Sequence, residues 1–257
     1  MSNLKVAIIQ TDIAWDNKEL NYKNLEEKIS NIDKEVDLIV LPEMFNTGFI
    51  MSPTNEASSQ EDITNWITSQ VKGKNCAIVG SAATFTDDKI ANRLYFVTSE
   101  GTIHTYDKTH LFLHAGEGKK YCNGNDRKII EYNGFKILLS VCFDLRFPVF
   151  NCNNNEYDVL LNVACWPESR REHWMALLKA RAIENQAYVI ACNRVGKDPN
   201  LSYAGDSMII DYNGVVLAHK DFDETILYAG LNKNAQKEHR EKFNFLASQD
   251  NFTLHLG

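Results

Sequence analysis

Seven short apolar runs limit what this chain can fold into more than any other feature. They are LKVAIIQ (4–10), DLIVLPE (37–43), CAIVGSA (76–82), RLYFVTSEG (93–101), FKILLSVCFD (135–144), YDVLLNVAC (157–165) and AYVIACNRV (187–195). Several are apolar without a break, so strands made from them have to be covered on both faces. Helical patterns fall between them at 22–32, 61–72 and 171–186. In the last of these, Trp174, Leu177, Leu178 and Ala182 share one face. Asn133-Gly134 and Asn213-Gly214 each separate two strand-like runs, which predicts two hairpins. Strands alternating with helices and interrupted by hairpins indicate an α/β chain with mixed sheets. No Gly-, Ser- or Pro-rich linker divides the 257 residues, so a single domain over 1–257 is expected.

Composition removes several function classes. The formal net charge of −7 leaves no basic surplus to neutralise phosphates, which argues against a nucleic-acid partner. No run is apolar for long enough to cross a membrane, and the N-terminal MSNLKVAIIQTD does not read as a secretion signal. Six cysteines are present, yet a chain of this length needs no disulfide staples. Free thiols in a reducing cytoplasm are the expectation. No CxxC pair or clustered Cys/His spacing points to structural zinc.

Three segments could do chemistry. Leu41-Pro42-Glu43 sets a carboxylate at a strand exit beside Met44 and Phe45, where it could serve as a base. Lys108 follows the strand-like GTIHTY and could neutralise an oxyanion. Cys142 stands where the apolar run LLSV meets FDLRFP, a junction at which a sharp turn can expose a thiol. Taken singly, each has an ordinary structural reading: a solvated loop carboxylate, a surface lysine, a buried inert thiol.

Taken in order, LPE, KTHLF and CFDLRFP resemble the nitrilase superfamily, as do the later KARAIEN (179–185) and AYVIACNRVG (187–196). With NVACWP (162–167), the chain is more narrowly similar to the bacterial omega-amidase branch. The resemblance implies a four-layer α-β-β-α sandwich of two mixed sheets with outer helices, commonly a homodimer, and no cofactor or metal. It implies that Cys142 is the nucleophile, Glu43 the general base and Lys108 the catalytic lysine. Glu117, in HAGEG (114–118), matches a second glutamate that holds the lysine and orients water or substrate. Phe143 would lend a backbone N–H to the oxyanion, and it stands where many relatives have tyrosine.

The substrate implied is a small amide, the terminal amide of a 2-oxo acid such as 2-oxoglutaramate or 2-oxosuccinamate. Its carboxylate needs a cation, for which Arg170 and Arg171 are candidates. Arg146 is read as a structural ion-pair residue. Phe45, Phe112 and Trp166 are candidates for apolar walls. Other nitrilase-type amidases and N-carbamoyl amide hydrolases use the same catalytic set and stand as alternatives, with a non-catalytic binding module more distant. His110, His114 and Glu117 at i, i+4 and i+7 form a rival metal set, but the glycines of HLFLHAGEG oppose the continuous helix it needs.

Overall fold

A computed structural model describes residues 3–33, 35–50, 57–86 and 89–256. The apolar runs become strands whose alternate side chains enter different cores, because successive residues point to opposite faces. The first sheet holds β1 (Asn3–Gln10), β2 (Leu38–Val40), β3 (Ala77–Thr86), β4 (Lys89–Thr98), β5 (Ile103–Asp107) and β13 (Thr225–Asn232), in the order β13-β1-β2-β3-β4-β5. The second holds β6 (Ile129–Tyr132), β7 (Phe135–Val141), β8 (Val159–Ala164), β9 (Tyr188–Asn193), β10 (Val195–Lys197) and β11 (Ser202–Ile210), ordered β10-β11-β9-β8-β7-β6. β12 (Val216–Asp221) pairs with β11.

Leu38 and Val40 of β2 face Leu139, Val141, Leu161 and Val163 in the core between the sheets. Ile39, between them, points the other way, into a core with Leu25 and Ile29 of α1 (Lys18–Ser30) and Ile63 and Ile67 of α2 (Gln60–Val71). Leu160 and Val189 of the second sheet pack outward on Trp174, Leu178 and Ala182 of α4 (Arg171–Asn185). The layers are therefore helix, sheet, sheet, helix, as the resemblance implied. Two shorter helices, α3 (Pro148–Asn151) and α5 (Lys233–Lys242), flank this frame. Among the described residues, no helix is long and apolar enough to cross a membrane.

Both hairpins form, with different turns. Asn133 (φ 48°) and Gly134 (φ 78°) make a two-residue connection between β6 and β7. Asn213-Gly214 lies in a wider loop, because the Asp211 carboxylate accepts from the N–H groups of Asn213 and Val215 at 2.8 Å each. The 37–43 run is a strand only over Leu38–Val40. Leu41 N–H still donates to Val79 O at 2.7 Å, but Pro42 has no N–H to continue the ladder.

Parallel pairing gives the two sheets a common functional end. β1, β2 and β3 run parallel, as do β7, β8 and β9. Their carboxyl ends lead into Glu43, Cys142 and Cys165, and β5 leads directly into Lys108. Crevices beyond the carboxyl ends of parallel strands are where such folds bind ligands.

Candidate active site

Cys142 is the first residue after β7 and has φ 46°, a left-handed conformation that a non-glycine residue adopts only when its surroundings impose it. Asp144 supplies the constraint. Its Oδ2 accepts from Val141 N–H at 2.9 Å and from Tyr106 O–H at 2.7 Å. Its Oδ1 accepts from His110 N–H at 2.9 Å. One buried carboxylate thus ties the turn of the thiol to the segment that carries Lys108.

The thiol opens into a cavity of about 290 Å³ that Glu43, Lys108, Phe143 and Cys165 also line. Glu43 and Lys108 are buried to within 1% of their surface. Lys108 Nζ lies 3.1 Å from Glu43 Oε1 and 3.1 and 3.0 Å from the two oxygens of Glu117. Glu43 Oε1 also accepts from Asn92 Nδ2 at 2.7 Å, and Oε2 accepts from Cys165 N–H at 2.7 Å. Burial alone would lower the lysine, but the charges of Glu117 and Glu43 outweigh it and hold the ammonium well above its ordinary range. Burial and then the charge of Glu43 push the Cys142 thiol up, against a smaller opposite pull from Lys108. A thiol raised in this way holds its proton, and would need a base before it could attack a substrate.

Of the expected wall residues, Phe112 and Trp166 line the cavity. Phe45 does not: it lies in the core beneath the first sheet, stacked on Trp66 at 5.4 Å between ring centroids. Glu43 and Phe45 are two apart, but Met44 turns the chain with φ 50° and sends the ring inward. Of the expected cations, Arg170 reaches the cavity and lies over the Phe112 ring at 5.1 Å. Arg171 does not: it pairs with Asp206 at 2.9 Å and with Asp221 at 3.6 Å. Arg170 closes a 3-10 turn and Arg171 opens α4, so adjacent side chains diverge.

Arg146 corrects its expected role as an ion-pair residue. It lines the cavity, lies over the Trp166 ring at 5.0 Å and meets His173 Nδ1 at 2.9 Å. Among the described residues, neither Arg146 nor Arg170 has an acidic partner within salt-bridge distance. Burial, followed by the charge of Arg170, lowers the Arg146 guanidinium. The rival metal set disperses: His110 pairs with Asp144, Glu117 with Lys108, and His114 is exposed.

Sequence reasoning passed over Asn92, Cys165, the β10–β11 loop, whose Asp198, Asn200 and Leu201 line the cavity, and Tyr203 at the start of β11, which lines it too. A second thiol in ACWP was visible as a residue but carried no sign that its backbone N–H meets Glu43.

Fold and cavity define a class: an α-β-β-α sandwich with a thiol, a carboxylate and an ammonium gathered at the strand ends. The carbon-nitrogen hydrolase family model matches residues 5–240. The chain belongs to that family, and it is a hydrolase acting on carbon–nitrogen bonds. It is 44% identical over 256 residues to omega-amidase YafV of Escherichia coli K12, a match covering 99% of this chain and 100% of that one. It is 34% identical to the 2-oxoglutaramate amidase of Bacillus subtilis 168, over 92% of this chain and 93% of that one. The crystal structure of XC1258 from Xanthomonas campestris, described as a CN-hydrolase superfamily protein, superposes with a TM-score of 0.95. The two share 35% identity, over 99% of this chain and 100% of that one.

Proposed function

We propose that this enzyme is an omega-amidase that hydrolyses the terminal amide of a small 2-oxo acid, such as 2-oxoglutaramate or 2-oxosuccinamate, through a thioester on Cys142. One observation carries the reading: a single cavity joins the thiol, Glu43 and Lys108 at its floor to Arg146 and Arg170, which have no acidic partner among the described residues. A carboxylate at one end of a small substrate suits those guanidinium groups, since paired N–H donors match its two oxygens. Its amide then lies toward the thiol. The names of the E. coli and B. subtilis relatives support the same substrate class.

In the first half-reaction, Glu43 takes the Cys142 proton as Sγ attacks the amide carbon. Lys108 and the Phe143 N–H, at the start of the turn where helix donors lack intrachain acceptors, stabilise the oxyanion. Glu43 passes the proton to the leaving nitrogen, ammonia departs and a thioester remains. In the second half-reaction, Glu43 takes a proton from water, and the oxygen attacks the thioester carbon. Collapse expels the thiolate, which recovers the proton from Glu43, and the carboxylic acid formed gives its own proton to the released ammonia. Glu117 holds Lys108 in place throughout by its paired contacts.

The reading extends to a cytoplasmic homodimer. None of the six cysteines is in a disulfide, which suits a reducing compartment. Ile183 on α4 and Val215, Val216 and Leu217 on the neighbouring hairpin are exposed apolar side chains that suit a second copy. The substrate assignment is tested by ammonia release from 2-oxo acid amides, simple amides, nitriles and N-carbamoyl amino acids. The 2-oxo acid amides are expected to give the highest kcat/KM; parity with simple amides would remove the assignment.

A further inference from the structure

We propose that Asn92 is a positioning residue that decides which oxygen of Glu43 carries the proton, and that this oxygen is Oε2. The proposal rests on Glu43 being the base for Cys142. Asn92 is fully buried on β4, opposite Ala83 of β3. Its Nδ2 donates to Glu43 Oε1 at 2.7 Å, while its backbone oxygen accepts from Lys108 N–H at 3.0 Å. A single residue therefore grips both the base and the lysine beside it.

The count of lone pairs gives the assignment. An ionised carboxylate oxygen offers about two acceptor directions. Oε1 has both occupied, by Asn92 Nδ2 at 2.7 Å and Lys108 Nζ at 3.1 Å. Oε2 has one occupied, by Cys165 N–H at 2.7 Å. The open direction on Glu43 is thus on Oε2. Two donors on Oε1 and one on Oε2 also oppose rotation of the carboxylate to exchange its oxygens, so the same oxygen receives the proton from sulfur and returns it to nitrogen.

The other end of Asn92 shows that its donor is the useful part. Oδ1 is buried without a hydrogen-bond partner among the described residues. Buried acceptors left unpaired are costly, and a leucine of similar shape would remove this one, though at the loss of the donor to Glu43. The chain instead holds a neutral N–H donor against Glu43. An aspartate of the same shape would place a second negative charge there.

The test compares Asn92→Leu, Asn92→Asp, Cys142→Ala and Glu43→Gln in ammonia release from 2-oxoglutaramate, with thermal melting to check folding. Asn92→Leu is expected to lower kcat by about ten- to a hundredfold, because a loosened base is misaligned, while KM moves by less than about threefold. Asn92→Asp is expected to move the acid limb of the kcat/KM profile upward by about one pH unit, since adjacent carboxylates disfavour ionisation of each other. A purely structural asparagine would instead lower the melting temperature of Asn92→Leu while leaving the kcat of the folded enzyme near that of the parent. A folded Asn92→Leu enzyme with kcat within about twofold of the parent would overturn the proposal. If that variant does not fold, the Asn92→Asp profile decides: an unmoved acid limb overturns it. Substantial turnover by Glu43→Gln or Cys142→Ala would instead overturn the underlying assignment of base and nucleophile.

Discussion

The floor and the mouth of the cavity hold charge in opposite ways. At the floor every charged side chain already has a partner: Lys108 sits between Glu43 and Glu117, and Asn92 and the Cys165 N–H complete Glu43. At the mouth, Arg146 and Arg170 rest on aromatic rings, with no acid within reach among the described residues. Buried charges are tolerable only when paired, so the floor is a finished structure, and the proposed mechanism uses its groups for proton transfer. Cations near the surface can stay unpaired at little cost, so under the proposed function the mouth has charge to offer an incoming anion. The division separates chemistry from selection: floor variants should lose kcat, and mouth variants should lose recognition of the carboxylate.

The largest effect is expected at the floor. Cys142→Ala should abolish turnover while leaving the melting temperature near that of the parent, measured by ammonia release and thermal denaturation. Glu43→Gln keeps the thiol but removes the proposed base, and should lower kcat by about 10²- to 10⁴-fold. A loss below about tenfold would move the base to another residue.

Mouth variants sharpen the contrast by choice of substrate. Arg170→Met and Arg146→Met should each lower kcat/KM for 2-oxoglutaramate by about ten- to a hundredfold, the scale of a lost charge-assisted hydrogen bond. The same variants should hardly alter kcat/KM for a neutral amide of similar size. Equal losses on both substrates would place the arginines in the chemistry and break the division.

The pH profile separates the regions again. Burial and the charge of Glu43 raise the thiol above its ordinary value of 9.0, so it keeps its proton to higher pH than a free cysteine. On the proposed mechanism, Cys142 enters the reaction as a protonated thiol. The alkaline limb of kcat/KM should therefore fall above pH 9, where that proton is lost. Arg170→Met should leave the limb where it is. An alkaline limb below about pH 8 would mean that the resting thiol is acidic and the floor differently charged. The smallest effect belongs to Arg171→Gln, expected to change kcat/KM by less than about twofold, because its partners Asp206 and Asp221 lie away from the cavity.

The same division marks what could be read in the sequence. The floor was legible because Glu43 and Cys142 each follow an apolar strand and Lys108 follows the strand-like GTIHTY, and strand ends in such sheets converge. The layers were legible too, since runs such as LIVL and VLLNVA carry apolar residues for both faces. The mouth was less so. Whether Arg170 or Arg171 enters the cavity depends on the passage from a 3-10 turn to a helix, a matter of one residue in phase. Phe45 was misplaced for a similar reason, because the left-handed turn at Met44 reverses the expected direction. Asn92 is silent in sequence: its partner is 49 positions away, and an asparagine in a strand carries no mark of the carboxylate it meets.

On the proposed mechanism, Cys142, activated from the floor, carries the acyl group of a substrate held by the mouth. Acid-quenched mass spectrometry during turnover of 2-oxoglutaramate, followed by peptide mapping and run beside Cys142→Ala, tests it most directly. The expected result is an acyl adduct on the peptide containing Cys142 in the parent, with neither adduct nor ammonia from the variant. An adduct mapped to Cys165 or any other residue, or ammonia released by Cys142→Ala at the parent rate, would contradict it.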